Sequence, residues 1–245
     1  MAIAPDKHER RLEPAILFRA DESVSQSRLG GLPSLPGEIH WPTQSRTNIP
    51  FHFLGQIDLA ALPPTPLPQS PDDAALPRYG MLYFFMHLGE GVDTDPTPED
   101  SPLKHINYWK ARSRVYYSNT AGADRELPTA VPPMMFSRLK CFPVVHLRPE
   151  VVETFWEEAN SNLGEDRGRG GVAAGPVEAL QMFGAPIVFQ FEGQLARSEG
   201  RQLLMQFEHS SLGELFFQDC LIQFWIVPTD LKHCRFDRAW GTLDT

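Results

Sequence analysis

The chain has 245 residues, 42% of them hydrophobic and 22% charged, which is long and apolar enough for a sizeable core and argues against a disordered segment. A formal charge of −9 and a pI near 5.4, with no basic stripe, argue against a nucleic-acid partner. No apolar run is long enough to cross a bilayer and the start, MAIAPDKHER, lacks a secretory core, so a cytoplasmic protein without a membrane partner is expected. The three cysteines, Cys141, Cys220 and Cys234, are odd in number and unpaired in spacing, which fits reduced thiols.

Gly (18) and Pro (23) are frequent enough to predict many short elements joined by shaped loops. In chain order, Ala15 to Phe18 reads as a first strand. Ser27 to Gly37 reads as a shaped loop, neither helix nor strand, because Gly30-Gly31 allow positive φ while Pro33 and Pro36 fix φ. Phe51 to Asp58 reads as a strand, with Asp58 placed to cap the turn from Leu59 to Leu62. Pro63 to Pro77 and Glu90 to Pro102 are proline-containing surface loops around the continuously apolar strand Gly80 to Met86. Arg114 to Tyr117 and Pro143 to Leu147 read as further strands, separated by a proline-rich stretch near Pro128 to Pro133.

Two helices are predicted. Pro149 through Asn160 has Pro in its first turn and Val151, Val152, Phe155, Trp156 and Ala159 on one stripe, and a weaker helix covers Pro176 to Met182, ending at Gly184. Leu203 to Phe207 and Leu221 to Val227 close the pattern as strands, the second stopped by Pro228. The fold class expected from these elements is α+β, mostly antiparallel strands with few helices. Leu82, Phe84, Phe85, Ile222, Phe224 and Trp225 are expected in its core.

Three patterns recur in the same order at near-constant spacing. Gly31-Leu32-Pro33 matches Gly184-Ala185-Pro186; Leu54-Gly55-Gln56-Ile57-Asp58 matches Leu204-Met205-Gln206-Phe207-Glu208; Met81 to Met86 matches Leu221 to Ile226. Such self-similarity predicts an internal duplication of a strand-turn-strand unit, within a single domain spanning 1–245 whose pseudo-repeat halves run from about 14 to 147 and from 148 to 245. Alternation along a strand puts Gln56 and Asp58 on one face, and likewise Gln206 and Glu208, and two related strands are expected to bring these pairs near a pseudo-twofold axis.

The stretches SRLGGLPSLPGEIHWP, FHFLGQIDLAALP and GMLYFF, with ALQMFGAPIVFQ, LLMQFE and FWIVPTDLKHCRFD, resemble the YwqG-like family, a bacterial domain of unknown function. The resemblance runs from about Pro14 to Phe236. It implies a mixed fold rich in antiparallel strands and no established activity or cofactor. The chain departs from the family where Phe216-Phe217-Gln218-Asp219 replaces a Trp-Gly-Asp turn.

Standard catalytic signatures are missing. There is no H-E-x-x-H, C-x-x-C, phosphate-binding P-loop or G-x-S-x-G elbow, and no metal or cofactor is expected; scattered residues such as His87, Glu208 and His209 read as core or solvated groups. Gly168 to Ala173 matches G-x-G-x-x-A without a preceding strand and reads as a flexible loop. The remaining candidate ligand-binding residues are Gly30, Gly31, Trp41, Gln56, Asp58, Gln206 and Glu208: polar groups inside apolar strands need partners, and a pre-set glycine loop beside Trp41 and Gln56 suits a cleft. The function expected is a binding module for a protein or small-molecule partner. The alternative is a hydrolase-like enzyme using acids from the duplicated strands.

Overall fold

The structure is a computed structural model and describes residues 11–44, 48–64, 76–88, 110–120, 122, 144–156, 170–172, 180–187, 196, 199–208 and 221–244. Its strands are β1 (Arg11–Asp21), β2 (Arg28–Leu29), β3 (His52–Asp58), β4 (Met81–Met86), β5 (Ser113–Ser118) and β6 (Val145–Trp156). They continue with β7 (Gly170–Val172), β8 (Leu180–Phe183), β9 (Gln202–Glu208), β10 (Leu221–Ile226) and β11 (Trp240–Asp244). All belong to one sheet, ordered β11-β10-β9-β8-β1-β6-β2-β3-β4-β5, with β7 paired to β6. Every pairing is antiparallel.

The end strands approach one another, so the sheet is a nearly closed barrel. Gly241 N of β11 donates to Ser113 Oγ of β5 at 2.7 Å. The seam is tight, because a Cβ on Gly241 would lie 2.8 Å from Met86 Cε and 3.2 Å from Ser113 Cβ, so a larger residue would make these side chains shift. Inside, Phe84 meets Phe224 and Phe207 at 5.1 and 5.6 Å between ring centroids, which ties β4 to β10 and β9 across the interior. Leu82, Phe84, Ile222 and Phe224 belong to this main core, while Phe85 and Trp225 are equally buried in smaller outer clusters. Both faces of β4 and β10 are therefore covered, as their continuous apolar runs require.

The fold is mostly β, which corrects the expected α+β class. Both predicted helices are strands: Pro149 to Trp156 lies within β6, and Leu180 to Phe183 is β8, with 157–160 and 176–179 outside the described residues. The physical reason is long-range pairing. β6 is matched residue for residue with β1, from Arg11↔Trp156 to Asp21↔His146, and the β-branched Val151, Val152 and Thr154 suit that ladder. Two loop expectations also gave way, since Arg28–Leu29 pairs with both β3 and β6, and Gly170–Val172 pairs with β6. The helices with defined bounds among the described residues are short: α1 (Pro228–Lys232) and 3-10 turns at Leu59–Ala61 and Phe236–Arg238. No helix among the described residues is long and apolar enough to cross a membrane.

The strand order reads the same from either end when β5 is set against β11, β4 against β10, β3 against β9, β2 against β8 and β6 against β1. Registers agree as well. Arg28 faces Gln56 as Gln181 faces Gln206, and Gln56 faces Tyr83 as Gln206 faces Gln223. Leu54 and Leu204 are each skipped by a register shift. The first strand of each half pairs with the second strand of the other, β1 with β8 and β6 with β2. The antiparallel register of β1 and β6 maps onto itself at Arg19↔Arg148, which is where the local twofold passes.

Candidate functional site

The outer face of each half is a wall built from a strand pair and the loop that covers it. In the first half the loop leaves β2 through Gly30 and Gly31, with φ of 62° and 65°, values that an L side chain rarely adopts. The skipped Leu54 offers its carbonyl to Gly30 N at 3.0 Å. Beyond Pro33, Ser34 N donates to Gln56 Oε1 at 2.9 Å, and Ser34 O accepts from Tyr83 Oη at 2.7 Å. Arg28 Nη2 donates to Leu32 O at 2.7 Å and to Ser34 Oγ at 2.9 Å. Burial pushes the Tyr83 phenol up to about 12, so it stays a neutral donor.

The second half repeats these bonds with different side chains. Phe183 and Gly184 take φ of 61° and 71°. Beyond Pro186, Ile187 N donates to Gln206 Oε1 at 2.9 Å, and Ile187 O accepts from Gln223 Nε2 at 2.6 Å. Gln181 Nε2 reaches Ala185 O at 2.9 Å, in the place of the Arg28 bond to Leu32.

The walls differ in what is left over. Gln56 Nε2 donates to Gln26 O at 3.0 Å and approaches Ser34 Oγ at 3.4 Å, so the amide is bonded on both sides. In the second wall Ile187 stands where Ser34 carries its hydroxyl. There Gln206 Nε2, Gln223 Oε1 and Thr242 Oγ1, which occupy one row across β9, β10 and β11, are buried without partners. Two residues further along their strands, the indole Nε1 atoms of Trp225 and Trp240 are buried and unpartnered too.

The sequence-chosen residues thus divide. Gly30 and Gly31 shape the first loop and Gln56 anchors it. Trp41 packs edge-on against Phe85 at 5.4 Å and donates from Nε1 to Phe51 O at 2.9 Å. Asp58 Oδ1 accepts from Ala60 N at 2.9 Å, capping the 3-10 turn as its position suggested. Gln206 lies in the second wall, and Glu208 ends β9 opposite Leu221. The Gln56–Asp58 and Gln206–Glu208 strands are not brought together at the twofold. β2, β6, β1 and β8 lie between β3 and β9, and both glutamines face outward. The row's other members, Gln181, Gln223 and Thr242, were missed. A period-two reading from Gln206 across strands needed the register, which no local pattern supplies.

Among the described residues no group of three or more His, Cys, Asp or Glu is arranged to hold a metal ion. Cys234 is an exposed free thiol. Cys141, Cys220, His209, the Phe216 to Asp219 turn and Glu90 to Pro102 lie outside the described residues. His87 is buried beside Phe51, their rings 6.0 Å apart, and neither ring nitrogen has a partner. Burial, then the positive charge of Arg112, holds its imidazole below the ordinary histidine value.

The arrangement defines a class: an antiparallel, nearly closed barrel with two matched outer walls. A family model for a domain of unknown function, DUF1963, matches residues 27–245, and the chain belongs to that family. No curated protein matches the chain.

Proposed function

We propose that the chain is a binding module and that its ligand is met on the wall formed by β9, β10 and β11. The observation that carries this reading is the contrast between matched walls: the first bonds its buried amide within the chain, and the second leaves Gln206 Nε2 and Gln223 Oε1 unpaired. A buried polar atom without a partner costs about 1–3 kcal/mol, so such atoms call for a group from outside the chain. Amide and hydroxyl groups recognise by hydrogen bonding and do not ionise near neutral pH, which favours binding over acid–base catalysis. The hydrolase-like alternative needs convergent acids. Asp58 caps a turn on one wall while Glu208 belongs to the strand of the other.

A cytoplasmic location, the narrower YwqG-like kinship and a small-molecule or protein partner belong to the same proposal. The negative charge suits a basic protein partner if the partner is a protein. The test pairs an affinity capture from lysate with a metabolite thermal-shift screen, on the parent chain and on Gln206→Leu and Asp58→Ala variants. Capture or shift lost in Gln206→Leu and kept in Asp58→Ala supports the second wall. Loss only in Asp58→Ala assigns the site to the first wall, and no hit in either assay on the folded parent overturns the binding reading.

A further inference from the structure

The unpartnered atoms of the second wall have a collective chemistry. Gln206 Nε2 and the two indole Nε1 atoms are donors, Gln223 Oε1 is an acceptor, and Thr242 Oγ1 can act as either. Strand alternation puts them on one face, because Gln223 and Trp225 are two apart on β10, Thr242 and Trp240 are two apart on β11, and the registers match Gln223↔Thr242 and Trp225↔Trp240. All these groups are neutral. Arg201, which lies over the Trp240 ring at 5.3 Å, is bonded to Glu199 at 3.1 Å. An ion placed among the amides would be desolvated without a counter-charge, which excludes phosphates and carboxylates as the favoured ligand.

The first wall holds its own stand-in for the missing group. Ser34 Oγ accepts from Arg28 Nη2 and, at 3.4 Å, from Gln56 Nε2, whose shorter bond of 3.0 Å goes to Gln26 O, so this scaffold meets its buried glutamine with a backbone carbonyl and an alcohol hydroxyl. Ile187 removes that hydroxyl from the second wall. We infer that the face bearing Gln206, Gln223, Thr242, Trp225 and Trp240 binds a neutral, hydroxyl-rich small molecule of the sugar or polyol class. A hydroxyl both accepts and donates, matching a face with donors in the majority and one obligate acceptor. The unpaired atoms span two successive rows of side chains, which a ligand carrying several hydroxyls satisfies and a single water does not. This inference rests on the binding reading and narrows it.

The experiment titrates the full-length chain with glucose and myo-inositol, and with the charged analogues gluconate and glucosamine, following tryptophan emission and the thermal midpoint. The neutral probes should shift both signals, and the charged ones should bind at least about tenfold more weakly. Thr242→Val should weaken neutral-probe binding about tenfold, the worth of one hydrogen bond. Ile187→Ser, which restores the Ser34 hydroxyl, should do the same while leaving the midpoint unchanged or higher. Should a variant fail to fold, a high-resolution crystal structure of the parent chain with glucose decides: sugar density on Gln206 and Gln223 supports the inference, and water alone overturns it. Preference for the charged probes, or neutral binding indifferent to both substitutions, also overturns it. A protein or a charged metabolite whose capture depends on Gln206 overturns the sugar-class assignment and leaves the binding module standing.

Discussion

The walls on β3–β4 and on β9–β10 share a loop geometry down to individual bonds, yet they finish their polar side chains differently. In the first, Tyr83 and Ser34 close the network; in the second, Gln223 and Ile187 form the same backbone bonds and leave an amide donor and an amide acceptor over. The loop needs only one donor to Ser34 O or Ile187 O and one acceptor for the N–H of the same residue. What remains after those needs are met is free to diverge. Scaffold and site are thus separable within the same few residues.

The largest expected effect tests the part the halves share. Phe84 and Phe224 are counterparts that meet in the interior and are fully buried. Truncating either to Ala should cost about 3–5 kcal/mol in chemical unfolding, with near-equal losses. Unequal losses would mean that the two sides do not share one core.

The glycine turns should separate the halves. Gly31 and Gly184 both have positive φ, but a Cβ on Gly31 meets Val144 Cγ2 at 2.6 Å, on an exposed side chain able to move. On Gly184 it meets Thr154 Oγ1 and, at 2.6 Å, Ala15 Cβ, both within paired strands. Each Ala substitution should destabilise, by about 1–3 kcal/mol, with Gly184→Ala the worse. Thermal unfolding of the two variants checks the order.

The glutamines sharpen the contrast further. Gln56→Leu strands Ser34 N and Gln26 O, whereas Gln206→Leu strands Ile187 N and one N–H of Gln223 Nε2 but also removes an unpaired donor. At about 1–3 kcal/mol for each stranded buried group, Gln56→Leu should lower stability more in urea unfolding. Equal costs would mean that Gln206 Nε2 has a partner in solution.

The smallest effect is a pH dependence confined to the first half, since Val227 stands after β10 where His87 follows β4. The folded value of His87 is depressed, so the unfolded chain takes the proton first. Its contribution is fully present above the unfolded value, about 6.5, and is lost progressively as pH falls from there toward the lower folded value. His87→Phe should flatten that acid slope in pH-resolved denaturation.

Much of this was legible in the chain. Strands such as Met81–Met86 and Leu221–Ile226 announce themselves as apolar runs, and Gly-x-Pro turns with a following Gln mark both walls. The misreading of Pro149 to Trp156 has a definite cause. Val151, Val152 and Phe155 satisfy a helical stripe locally, and only the distant partner β1 decides for the strand. Trp240–Asp244 passed unnoticed because its alternation is broken by Gly241, a glycine packed closely at the barrel seam. The polar row escaped for the same reason as β6: Gln206, Gln223 and Thr242 are neighbours only through register.

The exchange of first strands between halves bears on how the protein is made. As the chain leaves the ribosome β1 emerges first, yet its partners are β6 and β8, which come only after β5 has been synthesised. β2, β3, β4 and β5 can pair with one another early, but β2 keeps an open edge until β6 arrives. Such distant pairing slows folding and leaves apolar edges exposed meanwhile. Residues Ala15 to Phe18, buried in the finished barrel, are therefore an apolar segment that waits for both its partners and would gain from a chaperone's protection.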